Sequence, residues 1–376
     1  MNILLFDMDG VLLRSLGYHI ALQHMVKKVG HALGYQDAAL TDEHIAGFES
    51  HGMTCEWHSG ALTIAYLFMK AKMQQPTLRF PIALQPAPVS MFQDGLDISP
   101  LLDTLALFPS DQQPQLQRAV AVIAAVAAQA GLPPDEYAVM VAECENPSLS
   151  LTFRTFQEMV LGSENYQRTY HLPPVLDCPS YLNLYDQVLI SDINRERLLR
   201  WQGTSGQYAA IVTNRPSSQI PGTPSTPEAE LGAKLVGLEK LPLLAFGEIM
   251  WLSQQMGEES SGINKPSPIH TLAAMQAALG ASLPESMMSA YRLLNEPHDV
   301  EEWEQLTNGE IYIFEDTIAG VISLEKARTA LAEVGIKINI HKIGITENRT
   351  KKAALKKHGA EVFQDINQAL GEILIV

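Results

Sequence analysis

The sequence predicts an α/β fold: a parallel sheet with helices on both faces, interrupted by a large, all-helical insertion. Apolar runs of the kind that form buried strands occur at residues 3–6 and then only after about residue 206. Helical patterns separate the later strand runs from one another. Helical periodicity also dominates the whole region between the first and second strand runs, which indicates an inserted helical domain.

Four nearly continuous apolar runs predict the strands, at residues 3–6, 208–212, 311–314 and 336–345. Runs that are apolar at consecutive positions suit strands covered on both faces, as in a parallel sheet flanked by helices. The sequence therefore predicts a buried parallel sheet.

Three helical segments are predicted among these strand runs. Ser267 as N-cap, Pro268 in the first turn and Gly280 at the end predict a helix between them. Two more helices are predicted at 318–331 and 350–358. This alternation of strands and helices is typical of a doubly wound sheet.

The domain boundaries follow from where the pattern changes. We expect residues 1–13 and 206–376 to form the sheet domain and residues 14–205 to form the helical domain. Proline-rich joins at 76–100 and 173–179 suggest that the helical domain has two parts. A further proline-rich stretch at 216–227 predicts a mobile surface loop.

Composition narrows the possible partners. The 376 residues include 42 acidic side chains and 26 lysines and arginines, a formal net charge of -16. Nucleic acids and anionic membranes are bound by basic faces, so we expect neither as a partner. The apolar run at 120–130 is broken by Gly131 and Pro133 and is too short to span a bilayer.

The cysteines and the N-terminal residues predict the compartment. Cys55, Cys144 and Cys178 lie far apart in the chain, so neither a disulfide framework nor a paired zinc site is indicated. The first apolar stretch ends at Asp7 without a basic leader, so we expect no signal sequence. These features predict a cytoplasmic protein.

Two carboxylates follow the first predicted strand, in the segment Phe6-Asp7-Met8-Asp9-Gly10. Ligand sites in open parallel sheets form outside the carboxyl ends of the strands, so Asp7 and Asp9 lie where chemistry is expected. The alternative is a capped turn, since aspartate and glycine are common turn formers.

Three more polar groups occupy similar positions. Thr213-Asn214 follows the second strand, Lys265-Pro266 precedes a predicted helix, and Glu315-Asp316 follows the third strand. Singly, they read as a strand-end hydroxyl, a solvated lysine and acids favoured at a helix N-terminus. Their order around one predicted sheet favours a single shared site.

The segments 7–12, 213–214, 265–266 and 315–320 resemble the four ordered motifs of the haloacid dehalogenase superfamily, in the branch of phosphoglycolate phosphatases and beta-phosphoglucomutase. The resemblance covers residues 1–13 and about 206–376, and it implies a Rossmann-like core with a helical cap inserted after the first strand. The region 14–205 is larger than the usual cap of this branch, which leaves the substrate open.

The resemblance implies a role for each core residue. Asp7 would attack phosphorus and form an aspartyl-phosphate, and Asp9 would act as general acid and base. Thr213, Asn214 and Lys265 would hold the phosphoryl oxygens. Magnesium would be bound by the Asp7 side chain, the Asp9 backbone carbonyl and Asp316, with Glu315 as a direct or indirect ligand. We expect Asp9 to be protonated before the ester bond breaks, because this limits the negative charge in the pocket.

The cap offers weaker candidates for substrate binding. Tyr18 and His19 resemble a Tyr-His pair of beta-phosphoglucomutase, which would place His19 near the active site. The segment 47–58, with His51 and Glu56, falls where such caps carry a substrate-specificity loop; the alternative is a helix break with Trp57 in the core. A zinc site from His51 and His58 is disfavoured, because their spacing matches no familiar ligand pattern.

The function that this sequence predicts is a Mg²⁺-dependent phosphatase acting on a small phosphorylated metabolite, as a monomer or homodimer. Two alternatives remain open at this point. A sugar phosphomutase of the beta-phosphoglucomutase type would use the same core residues, and a catalytically idle relative would bind without turnover.

Overall fold

The computed structural model describes residues 1–85, 92, 96–110, 113–257, 263–296 and 300–374. The chain forms two compact units. The sheet unit comprises Met1–Ser15 and Asp186–Val376, and the helical unit comprises Leu16–Tyr185.

The helical unit contains nine helices among its described residues. Trp57 connects the helix at residues 56–74 to the helix at residues 151–161. Its Nε1–H donates to Gln157 Oε1 at 3.0 Å, and its ring lies 5.1 Å from that of Phe153. The predicted division of this region into two parts is not observed, since residues 16–185 form one unit; residues 86–91 and 93–95 of the predicted join lie outside the described residues. The helices are α1 Gly17–Leu33, α2 Asp42–Ser50, α3 Glu56–Gln74, α4 Ser99–Leu105, α5 Gln115–Gln129, α6 Pro134–Ala142, α7 Leu151–Leu161, α8 Ser163–Tyr170 and α9 Tyr181–Tyr185.

The sheet unit is built on six parallel strands in the order β5-β4-β1-β6-β7-β8. The predicted α/β class is confirmed. Strands β2 and β3 form a separate two-stranded antiparallel sheet. The strands are β1 Asn2–Phe6, β2 Leu13–Arg14, β3 Gln187–Val188, β4 Gln207–Val212, β5 Leu243–Leu244, β6 Glu310–Glu315, β7 Asn339–Ile345 and β8 Glu361–Phe363.

Strand β1 lies in the middle of the sheet and sends side chains into both cores. Ile3 and Leu5 join one hydrophobic cluster, whereas Leu4 and Phe6 join the other. This alternation follows from the two-residue period of a strand. Because both faces are covered, the run from Ile3 to Phe6 is apolar at every position.

Helices cover each face of the sheet. The cluster that contains Ile3 draws on α12 Phe246–Met256, α13 Ile269–Ala278, α14 Leu283–Asn295 and α16 Ile318–Glu333. The cluster that contains Phe6 draws on α10 Asp192–Gln202, α11 Glu228–Leu235 and α18 Ile366–Ile373. Two more helices complete the unit, α15 Glu301–Glu304 and α17 Arg349–Lys357.

The second boundary between the units falls at residue 186, not at 206. The segment 186–205 packs with the sheet, because Leu198 of α10 belongs to the cluster under Phe6. Asn194 of α10 also donates to the Asn367 side chain at 3.1 Å. The sequence prediction assigned α10 to the insertion because the segment is helical, like the insertion itself.

The helix after Lys265 begins one residue later than its N-terminal signals predict. Pro268 occupies the N-cap and α13 begins at Ile269. The predicted cap residue Ser267 only accepts a long hydrogen bond, 3.5 Å, from the Ile269 N–H. Gly280 follows the helix with φ +104°, as expected for a glycine that ends a helix.

Buried residues and hydrogen bonds attach the proline-rich stretch 216–227 to the rest of the sheet unit. Ser217, Ile220 and Thr226 are buried. Gln219 Nε2 donates to the Leu243 carbonyl at 2.8 Å, and Ser217 Oγ donates to the buried Glu248 at 2.7 Å. Pro221, Gly222 and Pro224 are exposed, as predicted for a surface loop, whereas other residues of the stretch are used internally. The predicted mobility of the stretch stays a prediction.

Among the described residues, no helix combines the length and the apolar character that crossing a membrane requires.

Candidate active site

Register in the sheet brings the strand ends together at one edge. Phe6 of β1 pairs with Ile211 of β4 and Phe314 of β6, and the two phenylalanine rings stack at 4.5 Å. Since parallel strands all run the same way, the residues that follow them must emerge side by side. Asp7, Thr213 and Asp316 are therefore delivered to the same edge.

An acidic cluster forms there around Lys265. Asp7, Glu315 and Asp316 each offer a carboxylate oxygen within 4.8 Å of the others. The Lys265 side chain is 4% exposed, and its Nζ lies 2.7 Å from Glu315 Oε1 and 3.2 Å from Asp7 Oδ1. Nζ also donates to the Val212 carbonyl at 3.0 Å, which ties this lysine to the end of β4.

The charges in this cluster are not balanced by the lysine alone. Burial, and then the negative charge of Glu315, raise the pKa of Asp7 well above its ordinary value, although Lys265 acts in the opposite direction. Burial likewise raises the pKa of Glu315 against the effect of Lys265. Burial disfavours the charged form of Lys265, but Asp7 and Glu315 overcome it and raise the lysine pKa. The excess negative charge of this cluster therefore favours the binding of a cation.

The donor set fits magnesium. Hard divalent cations take oxygen ligands, and Mg²⁺ usually uses one or two carboxylates while keeping waters or substrate oxygens in its shell. Asp7, Glu315 and Asp316 supply only carboxylate oxygens. In the part of the chain that the structure describes, no other group of three such ligand side chains converges.

Asp316 has a second cationic neighbour that the sequence did not reveal. Lys351 of α17, with a half-exposed side chain, donates from Nζ to Asp316 Oδ2. Lys351 belongs to no recognised motif. Only the packing of α17 against β7 and α16 brings it to Asp316.

Thr213 and Asn214 follow β4 as predicted, but in different environments. Thr213 is fully buried, and its Oγ1 accepts the Arg215 N–H at 3.2 Å. Its N–H donates to the Leu244 carbonyl at 2.9 Å. The Thr213 hydroxyl keeps a proton to donate, whereas Asn214 is exposed. Their predicted contacts with a phosphoryl group stay predictions.

Asp9 is held by an arginine. Arg215 Nε lies 3.0 and 3.1 Å from the two Asp9 carboxylate oxygens, and Nη2 lies 2.6 Å from Oδ1. The Ser15 hydroxyl donates to the same Oδ1. Burial acts to raise the pKa of Asp9, but the Arg215 charge and the hydrogen bonds from Arg215 and Ser15 outweigh it, so the pKa lies below its ordinary value.

The expectation that Asp9 is protonated before the reaction stays a prediction. Arg215 and Ser15 lower the Asp9 pKa, which favours the ionised form of this carboxyl group. The expectation counted the acids of the pocket against magnesium and Lys265, and it left out Arg215. Only the tertiary contact between positions 9 and 215 supplies that charge.

Arg215, Asp186 and Ser15 are functional candidates that the sequence did not single out. Arg215 Nη2 also donates to Asp186 Oδ2 at 2.8 Å and to Ser15 Oγ at 2.8 Å. Arg215 directly follows Thr213-Asn214, so its position beside a recognised motif was a usable signal. Asp186 belongs to no motif, and no local signal marks it.

The three cap candidates all belong to the helical unit. His19 of α1 lies 3.4 Å from Glu49 Oε1. His51 follows α2, with its Nδ1 2.8 Å from the Gly47 carbonyl, and Glu56 is the first residue of α3. Their predicted roles in substrate binding stay predictions.

His58 has a partner other than a metal. Its Nε2 lies 2.8 Å from Glu145 Oε1. Although burial acts against the charged form, hydrogen bonds with Cys55 and Glu145 raise the His58 pKa to about 9. The prediction that His51 and His58 form no zinc site stays a prediction.

Comparison with known proteins identifies the fold but no family. The chain matches no known family profile and no curated protein. An X-ray structure of a Northeast Structural Genomics Consortium target resembles it over 99% of this chain and 98% of that one, with a TM-score of 0.62 and 15% sequence identity. At this identity the similarity supports a shared fold alone.

Proposed function

We propose that this chain is a magnesium-dependent phosphohydrolase of the haloacid dehalogenase type, which hydrolyses a small phosphorylated metabolite through an aspartyl-phosphate on Asp7. The observation that carries the proposal is the convergence of Asp7, Glu315 and Asp316 around Lys265 at one edge of a parallel sheet. Acids and a lysine buried together at a strand-end edge are unfavourable for stability and are common in active sites.

Magnesium would be held by the carboxylates of Asp7, Glu315 and Asp316, with the backbone carbonyl of Asp9. When bound, it supplies positive charge against the phosphoryl oxygens and the acids. Such charge is needed, because two like charges about 4 Å apart repel by roughly 4 kcal/mol at an effective dielectric near 20. Lys265, fixed between Asp7 and Glu315, adds a second positive charge.

In the first step, an Asp7 carboxylate oxygen attacks phosphorus and the bond from phosphorus to the ester oxygen breaks. The leaving alcohol takes up a proton. Lys265 keeps Asp7 oriented through its 3.2 Å contact with Oδ1. Thr213, Asn214 and Lys265 would bind the phosphoryl oxygens, because each carries a donor at this edge.

In the second step, water attacks the aspartyl-phosphate, releases inorganic phosphate and regenerates the Asp7 carboxylate. The water loses a proton, and Asp9 accepts it. Hydrogen bonds from Arg215 and Ser15 hold the Asp9 carboxylate in place for this role. As the acid in the first step, Asp9 must first carry a proton.

The test is turnover of a panel of phosphate esters with and without Mg²⁺, followed as released inorganic phosphate. We expect magnesium-dependent release by the wild-type protein and none above background by Asp7→Asn. Asp192→Asn is the matched control, because this aspartate is 82% exposed and outside the cluster; it should retain wild-type rates.

Any of three results would overturn the proposal. Equal turnover by Asp7→Asn would show that Asp7 is not the nucleophile. Absence of phosphate release, together with absence of any phosphoryl-enzyme, would indicate a catalytically idle relative. Conversion of a hexose 1-phosphate into its 6-phosphate, without free phosphate, would instead identify a phosphomutase.

A further inference from the structure

We propose that Arg215 is a positioning residue that fixes the Asp9 carboxylate and links it to Ser15 and Asp186, the residues where the chain leaves and re-enters the sheet unit. The inference rests on the proposed function, in which Asp9 transfers the protons. It assigns a role to a side chain that the four core motifs do not include.

The contact between Arg215 and Asp9 has the geometry of an orienting clamp. Three donor-acceptor distances between 2.6 and 3.1 Å join the guanidinium to the two carboxylate oxygens. The Asp9 side chain is 40% exposed, so without these bonds water would compete for it and its rotation would be free. The planar fork of a guanidinium fixes both oxygens at once, which a lysine ammonium cannot do.

Arg215 is itself held in place from a second side. Its side chain is 2% exposed, and the Asp186 side chain that it contacts at 2.8 Å is 0% exposed. Removing one partner of a buried ion pair is strongly destabilising, because the remaining charge stays desolvated. The Arg215 N–H also donates to Thr213 Oγ1, so both ends of this residue are tied to the edge of the sheet.

Ser15 and Asp186 occupy special places in the chain. Ser15 is the last residue of the first segment of the sheet unit, and Asp186 is the first residue of its second segment. Arg215 Nη2 contacts both of them and Asp9. One guanidinium therefore connects the proton-transfer group to both crossings of the chain, and the position of Asp9 depends on theirs.

A direct role for Arg215 in binding substrate phosphate is less consistent with these contacts. A phosphate-binding arginine presents its donors to the ligand, whereas Nε and Nη2 of Arg215 are already engaged with Asp9, Ser15 and Asp186. The burial of the side chain further restricts access.

The experiment compares two esters whose leaving groups differ in their need for a proton. Departure of 4-nitrophenolate needs little protonation, whereas an alkoxide from an alkyl phosphate must be protonated as it leaves. Rapid-quench single-turnover assays with Mg²⁺ measure leaving-group release from each ester. The readout is the ratio of the alkyl rate to the aryl rate, which a general loss of fold does not change.

We expect Arg215→Lys to lower this ratio by at least about 10-fold, since positioned proton transfer contributes roughly 10²- to 10⁴-fold. Ser15→Ala removes one hydrogen bond to Asp9 and should lower the ratio less. Arg197→Lys is the matched control, because Arg197 is held by Asn194 and the Leu374 carbonyl in the same unit; its ratio should equal that of the wild type.

Circular dichroism and thermal unfolding show whether each variant is folded. If Arg215→Lys does not fold, Ser15→Ala alone decides, with a lowered ratio supporting the inference. An unchanged or increased ratio in folded variants would overturn it. Failure of the proposed function is distinguishable, because the wild-type protein would then release neither leaving group and form no phosphoryl-enzyme.

Discussion

At the scale of single residues, two glycines determine how closely the acidic cluster can pack. A Cβ on Gly10 would lie 2.5 Å from Asp316 Oδ2, and Gly10 also has φ +79°. A Cβ on Gly320 would lie 1.7 Å from Glu315 Oε1. Both positions therefore require the absence of a side chain so that Glu315 and Asp316 can occupy their places.

Gly320→Ala tests this close packing. The added methyl group must push the Glu315 carboxylate away from Lys265, because the two atoms cannot share the space. We expect a loss of about 1–3 kcal/mol in the free energy of unfolding, as for overpacking of a core, and at least about 10-fold weaker Mg²⁺ binding, since loss of an orienting or ligating contact has effects of this size. Urea denaturation and isothermal titration calorimetry measure the two effects.

Gly371→Ala provides the matched comparison. Gly371 also lies in a helix, α18, and its Cβ would meet no atom within 4 Å. Alanine is favoured over glycine in a helix by roughly 0.5–1 kcal/mol, so this variant should be neutral or more stable. Equal behaviour of the two variants would contradict the proposed clash at position 320.

At the scale of secondary-structure elements, α12 and the stretch 216–227 share one buried acid. Glu248 Oε2 accepts the Ala245 N–H at the start of α12 at 2.9 Å and the Ser217 hydroxyl at 2.7 Å. Gln219 Nε2 lies 3.2 Å from Oε1. A single side chain thus caps a helix and anchors the loop that follows Thr213-Asn214.

The pH dependence of stability should report this acid. Burial raises the pKa of Glu248 to about 7 from 4.5, despite the hydrogen bonds that oppose the shift. Stability from the protonated carboxyl is present below pH 4.5 and is lost as the pH rises through 7. At about 1.4 kcal/mol per pKa unit, the loss is about 3 kcal/mol.

Glu248→Gln should abolish this component. We expect the difference in unfolding free energy between the variant and the wild type to shift by about 3 kcal/mol between pH 4.5 and pH 8, in favour of the variant at the higher pH. Urea denaturation at a series of pH values measures it. A difference that stays constant with pH would exclude Glu248 as its source, and Glu361→Gln, at an exposed glutamate, serves as control.

The elements themselves were predictable to different degrees. The four predicted strands were confirmed, with β7 beginning at Asn339 and not at residue 336. Strands β5 and β8 were missed, because two and three residues are too short for a periodic pattern. Their pairing with β4 and β7 depends on neighbours in the sheet, which a local sequence window does not contain.

At the scale of the whole molecule, net charge and the acidic cluster together predict a response to magnesium. The chain carries a net charge of -16, so any salt reduces its self-repulsion. A specific site adds stabilisation that depends on the ion and not only on ionic strength. At a magnesium concentration about 100 times the dissociation constant, linkage gives roughly 2.7 kcal/mol.

We therefore expect MgCl₂ to raise the unfolding temperature more than NaCl at equal ionic strength. Asp316→Asn should remove the excess, because it deletes one of the three clustered carboxylates. Asp192→Asn removes one negative charge, as Asp316→Asn does, while leaving the cluster intact, and it should keep the excess. Scanning calorimetry provides the measurement; identical shifts with both salts would argue against a magnesium site.

The α/β class could be predicted from the amino-acid sequence, as could the positions of Asp7, Thr213, Lys265 and Asp316 near the predicted strand ends. These properties are local, because the periodicity and the end of a strand can be recognised from a short run of consecutive residues. A parallel sheet then brings the strand ends to one edge whatever lies between them.

Tertiary structure alone decided which groups touch. Arg215 reaches Asp9 across 206 positions of sequence and Asp186 across 29, and the segment 186–205 joins the sheet unit through packing that its helical pattern does not encode. Contacts of this kind depend on the path of the whole backbone and on which charged side chains are buried together. That is why the pairing of Asp9 with Arg215, unlike the position of Asp9 after the first strand, could not be predicted from the sequence.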